Sequence, residues 1–128
     1  MNIQILPSLL AADVGALGAE IARVARSGAD ALHLDVMDAH FVPNLSFGPD
    51  VVALARRVAP GLFRNVHLMM TRPDLYLEAF ARAGAQTIQV HVEADCDSTR
   101  NWPASGSWGC ARGSSSTPRR RPGGSSPT

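Results

Sequence analysis

Ala31-Leu32-His33-Leu34-Asp35-Val36-Met37-Asp38 is the stretch that decides how this chain folds. In an extended chain, alternate side chains point to opposite faces. Leu32, Leu34 and Val36 therefore make one apolar face, while His33, Asp35 and Met37 line the other. The polar pair comes near the end of the predicted strand, before a loop running from Ala39 to Phe47. Ligand-binding and catalytic groups of parallel α/β proteins gather at the carboxyl ends of strands. The chemistry is expected there.

On the amino-terminal side, Ile3-Gln4-Ile5-Leu6 reads as a short strand that stops at Pro7-Ser8. Asp13 suits a helix N-cap, Val14, Leu17, Ile21 and Val24 recur at helical spacing, and Gly28 can end that helix. On the carboxyl-terminal side, Pro49 opens a second helix with Val51, Val52, Leu54, Ala55 and Val58 on its apolar side, and Pro60-Gly61 ends it. Arg64 to Met69 is the next strand. Thr71 and Pro73 fit the N-cap and first turn of a third helix carrying Leu75, Leu77, Ala79 and Phe80, closed by Gly84. Thr87 to Val92 is the fourth strand.

The resulting order is β-α-β-α-β-α-β, which implies a parallel sheet with right-handed crossovers. Its repeat of roughly 28 residues is that of a unit in an eight-fold β/α barrel of about 250 residues. Side-chain parity favours the barrel over a sheet covered on both faces. His33, Asp35 and Met37, then His67 and Met69, then Gln89, His91 and Glu93 share one parity, and the aliphatic residues occupy the other. A sheet with helices on both faces would show continuous apolar runs. The expected fold is α/β, the first four strands and three helices of a (β/α)8 barrel.

A chain of 128 residues with 45% hydrophobic and 18% charged residues has enough apolar material for one core. It contains no apolar run long enough to span a membrane and no secretory pattern at its start, so a cytoplasmic setting without membrane attachment is expected. Charge is unevenly spread. All 11 acidic residues lie before Ser98, whereas Ser98 to Thr128 carries arginines and no acid. That segment is dominated by Ser, Gly, Arg, Pro and Thr and contains no Val, Ile, Leu, Met, Phe or Tyr, so residues 97–128 are expected to be a disordered tail. Arg119-Arg120-Arg121 is a single short cluster, and a nucleic-acid partner is not expected. The abrupt change of composition, in a chain without lysine, reads as a shifted reading frame or a misplaced gene end.

His33, Asp35 and His67 form the sharpest constellation. Two imidazoles and a carboxylate at neighbouring strand ends suit Zn²⁺, Fe²⁺, Mn²⁺ or Co²⁺. Taken singly, each histidine reads more readily as a core residue paired with carboxylate or backbone; the convergence of three such residues brings a ligand site level with that reading. His91, one strand further, is a candidate ligand or a group that orients one. His40 reads as a surface or lid residue of the loop. Met37, Met69 and Met70 are core filler on composition, although Met37 and Met69 share the ligands' parity and can wall a site. Cys96 and Cys110 have no metal-ligand spacing.

Leu6-Pro7-Ser8-Leu9-Leu10-Ala11-Ala12-Asp13, His33-Leu34-Asp35-Val36-Met37-Asp38, Phe41-Val42-Pro43-Asn44, Phe47-Gly48-Pro49, Val66-His67-Leu68-Met69 and Val90-His91-Val92-Glu93-Ala94 together resemble the ribulose-phosphate 3-epimerase family. The resemblance implies a (β/α)8 barrel that interconverts D-ribulose 5-phosphate and D-xylulose 5-phosphate with one divalent metal ion. It implies His33, Asp35 and His67 as metal ligands and Asp35 as the base at C3. It further implies Ser8, His67, Met37 and Met69 as substrate contacts, a sugar-phosphate substrate and a homo-oligomer. Residues 1–96 then form the amino-terminal half of the barrel. The family's second acid, an aspartate in a Val-Asp-Gly-Gly type motif, and its glycine-rich phosphate loops have no counterpart here. Impaired or lost epimerisation is therefore expected for this chain. The alternative is a non-catalytic half-barrel that binds metal or self-associates, to be told apart by turnover of the sugar phosphate.

Overall fold

The computed structural model describes residues 2–95. The expected tail and both cysteines lie outside the described residues. Three parallel strands, β1 (Ala31–Met37), β2 (Phe63–Met69) and β3 (Thr87–Val90), pair in the order β1-β2-β3. Helices α1 (Leu17–Arg26), α2 (Pro49–Val58) and α3 (Leu77–Ala83) alternate with them, and α2 packs between α1 and α3.

The parity rule holds for the aliphatic residues of all three strands. Leu32, Leu34 and Val36 of β1, Val66 and Leu68 of β2, and Ile88 and Val90 of β3 are buried in one cluster with Ile21, Val52, Ala55 and Phe80 from the helices. The other parity of β1 is half-buried: His33, Asp35 and Met37 face away from the helices. One helix-covered face and one polar face is the construction of a barrel wall, here as an arc of three strands.

Local signals act where the sequence places them. Asp13 accepts a hydrogen bond from Gly15 N and caps a 3-10 turn, Val14–Ala16, that leads into α1. Pro49 occupies the first turn of α2. Gly84 ends α3 in the left-handed conformation, φ 115°, where a side chain would be strained.

Three expectations are corrected. Ile3 to Leu6 is not a strand: it runs beside β1 through Asp30 N to Ile5 O, His33 N to Pro7 O and an isolated parallel bridge from Ser8 to His33. Ile3 and Ile5 are largely exposed, so no second neighbour and no packing extend that edge into a ladder among the described residues. The sheet therefore has three strands rather than four. The last strand also stops at Val90, because Ala94 N bonds back to His91 O and turns the chain. Thr71 is not an N-cap either; its N–H goes to Asp38, and Pro73–Leu75 forms a 3-10 turn before α3.

Arg64 is the unexpected member of the apolar parity, 7% exposed. Its guanidinium donates from Nε to Gly84 O at 2.7 Å and from Nη1 to Leu62 O at 2.8 Å. It thereby satisfies carbonyls that helix and loop ends leave without partners. Burial, reinforced by the nearby charge of Arg56, lowers its pKa from the usual arginine range.

Candidate functional site

The register places the site. Asp35 of β1 lies opposite His67 of β2, and His67 opposite Gln89 of β3. His33, two residues before Asp35, shares its face. Asp35 Oδ1 lies 3.1 Å from His33 Nε2 and 3.1 Å from His67 Nδ1. Asp35 Oδ2 accepts a 2.5 Å bond from Ser8 Oγ. Ser8 is brought there by the Ser8–His33 bridge, and its hydroxyl also caps the short turn Leu9–Ala11.

Burial alone would raise the Asp35 carboxyl, but the Ser8 hydroxyl, the His67 hydrogen bond and the fields of both histidines outweigh it and lower its pKa. Burial lowers His67 against the opposing bond to Asp35. The two shifts describe an ionised carboxylate beside a neutral imidazole, hence a charge-assisted hydrogen bond and not an ion pair.

The donor set fits a divalent cation. One ligand atom from each of His33, Asp35 and His67 lies within 4.8 Å of the others. Ligands held about 2.0–2.2 Å from one ion are about 2.8–3.1 Å apart around a right angle and about 3.3–3.6 Å apart around a tetrahedral one. The two 3.1 Å contacts at Asp35 Oδ1 match such an edge. Two imidazole nitrogens and a carboxylate are borderline donors that suit first-row divalent metals.

The loop after β1 is fixed by two groups that the sequence reading passed over. Ser46 Oγ donates to Asp35 O at 2.7 Å and accepts from Met37 N at 3.0 Å, tying the end of the loop to the strand that carries the carboxylate. Asp38 accepts from His40 N, Phe41 N and Thr71 N, linking the loops after β1 and β2. Burial pushes Asp38 up, but these three N–H donors outweigh it and hold the carboxyl below its usual range. An Asp followed by two backbone donors is a legible Asx turn; its bond to Thr71, 33 residues away, is not.

Met37 and Met69 are register partners at the carboxyl ends of β1 and β2, both partly exposed. His40 is exposed, with Nδ1 donating to Asp38 O. His91 lies beyond the end of β3, and its Nε2 comes 2.8 Å from His67 Nε2, away from the Asp35 contacts. A cavity of about 490 Å³ between the two loops is lined by Met37, Asp38, Phe47, Met70, Tyr76 and Phe80 among others, but by none of His33, Asp35 and His67.

Comparison with known proteins gives the same direction. The model of the ribulose-phosphate 3-epimerase family matches residues 4–119. Ribulose-phosphate 3-epimerase of Bacillus subtilis (strain 168) is 52% identical over 92 residues, 72% of this chain and 42% of that protein. The Rhodobacter capsulatus protein of the same name is 48% identical over 93 residues, 73% of this chain and 40% of the relative. The rice cytoplasmic isoform is 43% identical over 99 residues, 77% and 42% respectively. The chain thus spans about two fifths of the length of these relatives. No helix among the described residues is long and apolar enough to cross a membrane.

Proposed function

Because this chain belongs to the ribulose-phosphate 3-epimerase family, we propose that its described residues form the metal-holding and proton-abstracting part of a sugar-phosphate 3-epimerase. The observation that carries this reading is Asp35 Oδ1 standing 3.1 Å from both His33 Nε2 and His67 Nδ1. His33, Asp35 and His67 would hold one divalent ion, which when bound supplies a Lewis acid for a carbonyl oxygen. Zinc, ferrous iron, manganese and cobalt all suit these donors, and metal analysis of the purified chain identifies the ion.

In this reading the substrate is D-ribulose 5-phosphate and the product D-xylulose 5-phosphate. Asp35 removes the proton from C3; its lowered pKa keeps it in the carboxylate form that can accept one. Ser8 Oγ, on Oδ2, orients that carboxylate and turns to the substrate when it binds. His67, Met37 and Met69 provide the remaining contacts, the methionines as an apolar wall beside the reacting carbons. Ser46 fixes the backbone at Asp35 and Met37, so the carboxylate and the wall move together.

Epimerisation requires a proton to return to the opposite face of the planar intermediate. A proton returned by Asp35 regenerates the starting epimer. We therefore include in the proposal that turnover by the 128-residue chain alone is impaired and that C3 exchange outpaces epimerisation. The full reading also takes residues 1–96 as one barrel portion, a cytoplasmic setting and homo-oligomeric assembly, without nucleic-acid or membrane partners.

The test is to incubate the metal-supplied chain with ribulose 5-phosphate in D2O. Deuterium at C3 and xylulose 5-phosphate are followed separately. Exchange ahead of product formation is expected. Absence of any exchange would contradict the functional reading, whereas product forming as fast as exchange would contradict only the impairment.

A further inference from the structure

His91 has a place in the site that neither the register nor the functional reading uses. Residue 89 is the register partner of His67, so His91 lies two residues nearer the loop end, on the same parity. Its ring reaches back until the two Nε2 atoms are 2.8 Å apart. The His67 and His91 ring centroids are 4.9 Å apart with the rings tilted by 30°, and the Phe41 ring lies 5.1 Å from that of His91. The chain that follows is tied by Ala94 N to His91 O and by Asp95 N to Thr71 O. His91 Nδ1 faces Glu93, with Oε2 at 3.8 Å.

A contact of 2.8 Å between two ring nitrogens needs one proton between them. A neutral ring carries its single proton on one nitrogen, so the partner at Nε2 decides what Nδ1 can do. We propose that His91 is a positioning residue that accepts the Nε2 proton of His67 and so commits Nδ1 of His67 to a divalent metal ion. The proposal rests on the metal-holding role given above to His33, Asp35 and His67.

The protons balance. Without metal, acceptor-only Asp35 takes Nδ1–H of His67; Nε2 of His67 then accepts from Nε2–H of His91. With metal at Nδ1, the His67 proton resides on Nε2 and points to His91. The His91 proton resides on Nδ1, toward Glu93. Each ring keeps one proton throughout. Imidazole suits this position because it can donate in one state and accept in the other.

The experiment uses the full chain labelled with [¹⁵N]histidine. Long-range ¹⁵N–¹H correlation spectra assign the protonated nitrogen of each ring without metal and with zinc. The expected result is His67 changing from Nδ1–H to Nε2–H on zinc loading, with His91 changing from Nε2–H to Nδ1–H. Zinc affinity is measured by competition with a chromophoric chelator. His91→Phe keeps an aromatic ring against Phe41 but accepts no proton; it is expected to bind zinc about 10–100-fold more weakly, the usual effect of losing an outer partner of a ligating histidine. His91→Gln offers an amide oxygen and is expected to recover most of that loss. Thermal midpoints of the metal-free variants check that the fold survives. Wild type and His91→Phe binding zinc equally, or zinc-loaded His91 still protonated at Nε2, would overturn the role of His91 alone; zinc-loaded His67 protonated at Nδ1 would take that nitrogen off the metal and overturn the metal-holding reading as well. Wild type failing to bind zinc, iron, manganese or cobalt would overturn the metal-holding reading and this inference with it.

Discussion

Replacing Arg64 by Met tests whether a buried cation bonded to backbone carbonyls is a structural support of this fold. The guanidinium is held by Gly84 O at 2.7 Å, Leu62 O at 2.8 Å and, more loosely, Pro60 O at 3.4 Å. A bond from a charged donor contributes about 1.5–3 kcal/mol, so the two short bonds correspond to a gross loss of about 3–6 kcal/mol. Methionine keeps most of the packing of the arginine stem and has no charge to desolvate, which returns part of that loss. The orphaned carbonyls remain, because no second donor replaces the fork. The expected net destabilisation is about 2–4 kcal/mol, a large share of the about 5–15 kcal/mol that holds a domain folded. Urea unfolding of the full chain, followed by far-ultraviolet circular dichroism, measures it. The dependence on urea should keep its slope while the midpoint falls. Arg64→Lys, with charge but no planar fork, should fall between. A loss below about 1 kcal/mol, or any stabilisation, would show that desolvation of the guanidinium cancels its bonds.

Under the proposed function, Asp35→Asn removes a ligand and not a support, so it should weaken cobalt binding by more than the about 10–100-fold typical of outer partners; cobalt absorption titration reads this. Asp38 has a folded-state pKa below its ordinary value, so its stabilisation is present above about pH 4 and disappears as pH falls through the folded pKa. Thermal midpoints of Asp38→Asn and wild type should therefore differ most near neutrality and converge in acid. Gly84→Ala puts a side chain at φ 115°, with its Cβ 2.7 Å from the flexible Arg56 Cδ. The backbone term dominates, and a loss of about 1–2 kcal/mol is expected in urea unfolding.

The shared face of His33, Asp35 and His67 was legible because strand periodicity is local. Leu32, Leu34 and Val36 must share a side, which forces His33 and Asp35 onto the other, and the same rule places His67. Helix ends were legible at Asp13, Pro49 and Gly84 for an equally local reason: cap and turn chemistry acts within a few residues. Ile3 to Leu6 misled because alternation reports only that a segment can be extended. A strand also needs a partner along its length, and this segment meets β1 at one end.

Taken by itself, the sequence determined which residues face the helices and that His33, Asp35 and His67 lie on the opposite face. Tertiary structure decided what those groups touch. The parallel register brings Asp35 beside His67, the crossing of the amino-terminal segment puts Ser8 on the second carboxylate oxygen, and the turn after β3 swings His91 onto the far nitrogen of His67. It also turned Arg64 from a misplaced charge into a support for the carbonyls of Gly84 and Leu62. Hydrophobic periodicity constrains one element at a time, whereas hydrogen-bond partners 20 to 32 residues apart exist only once the elements have packed.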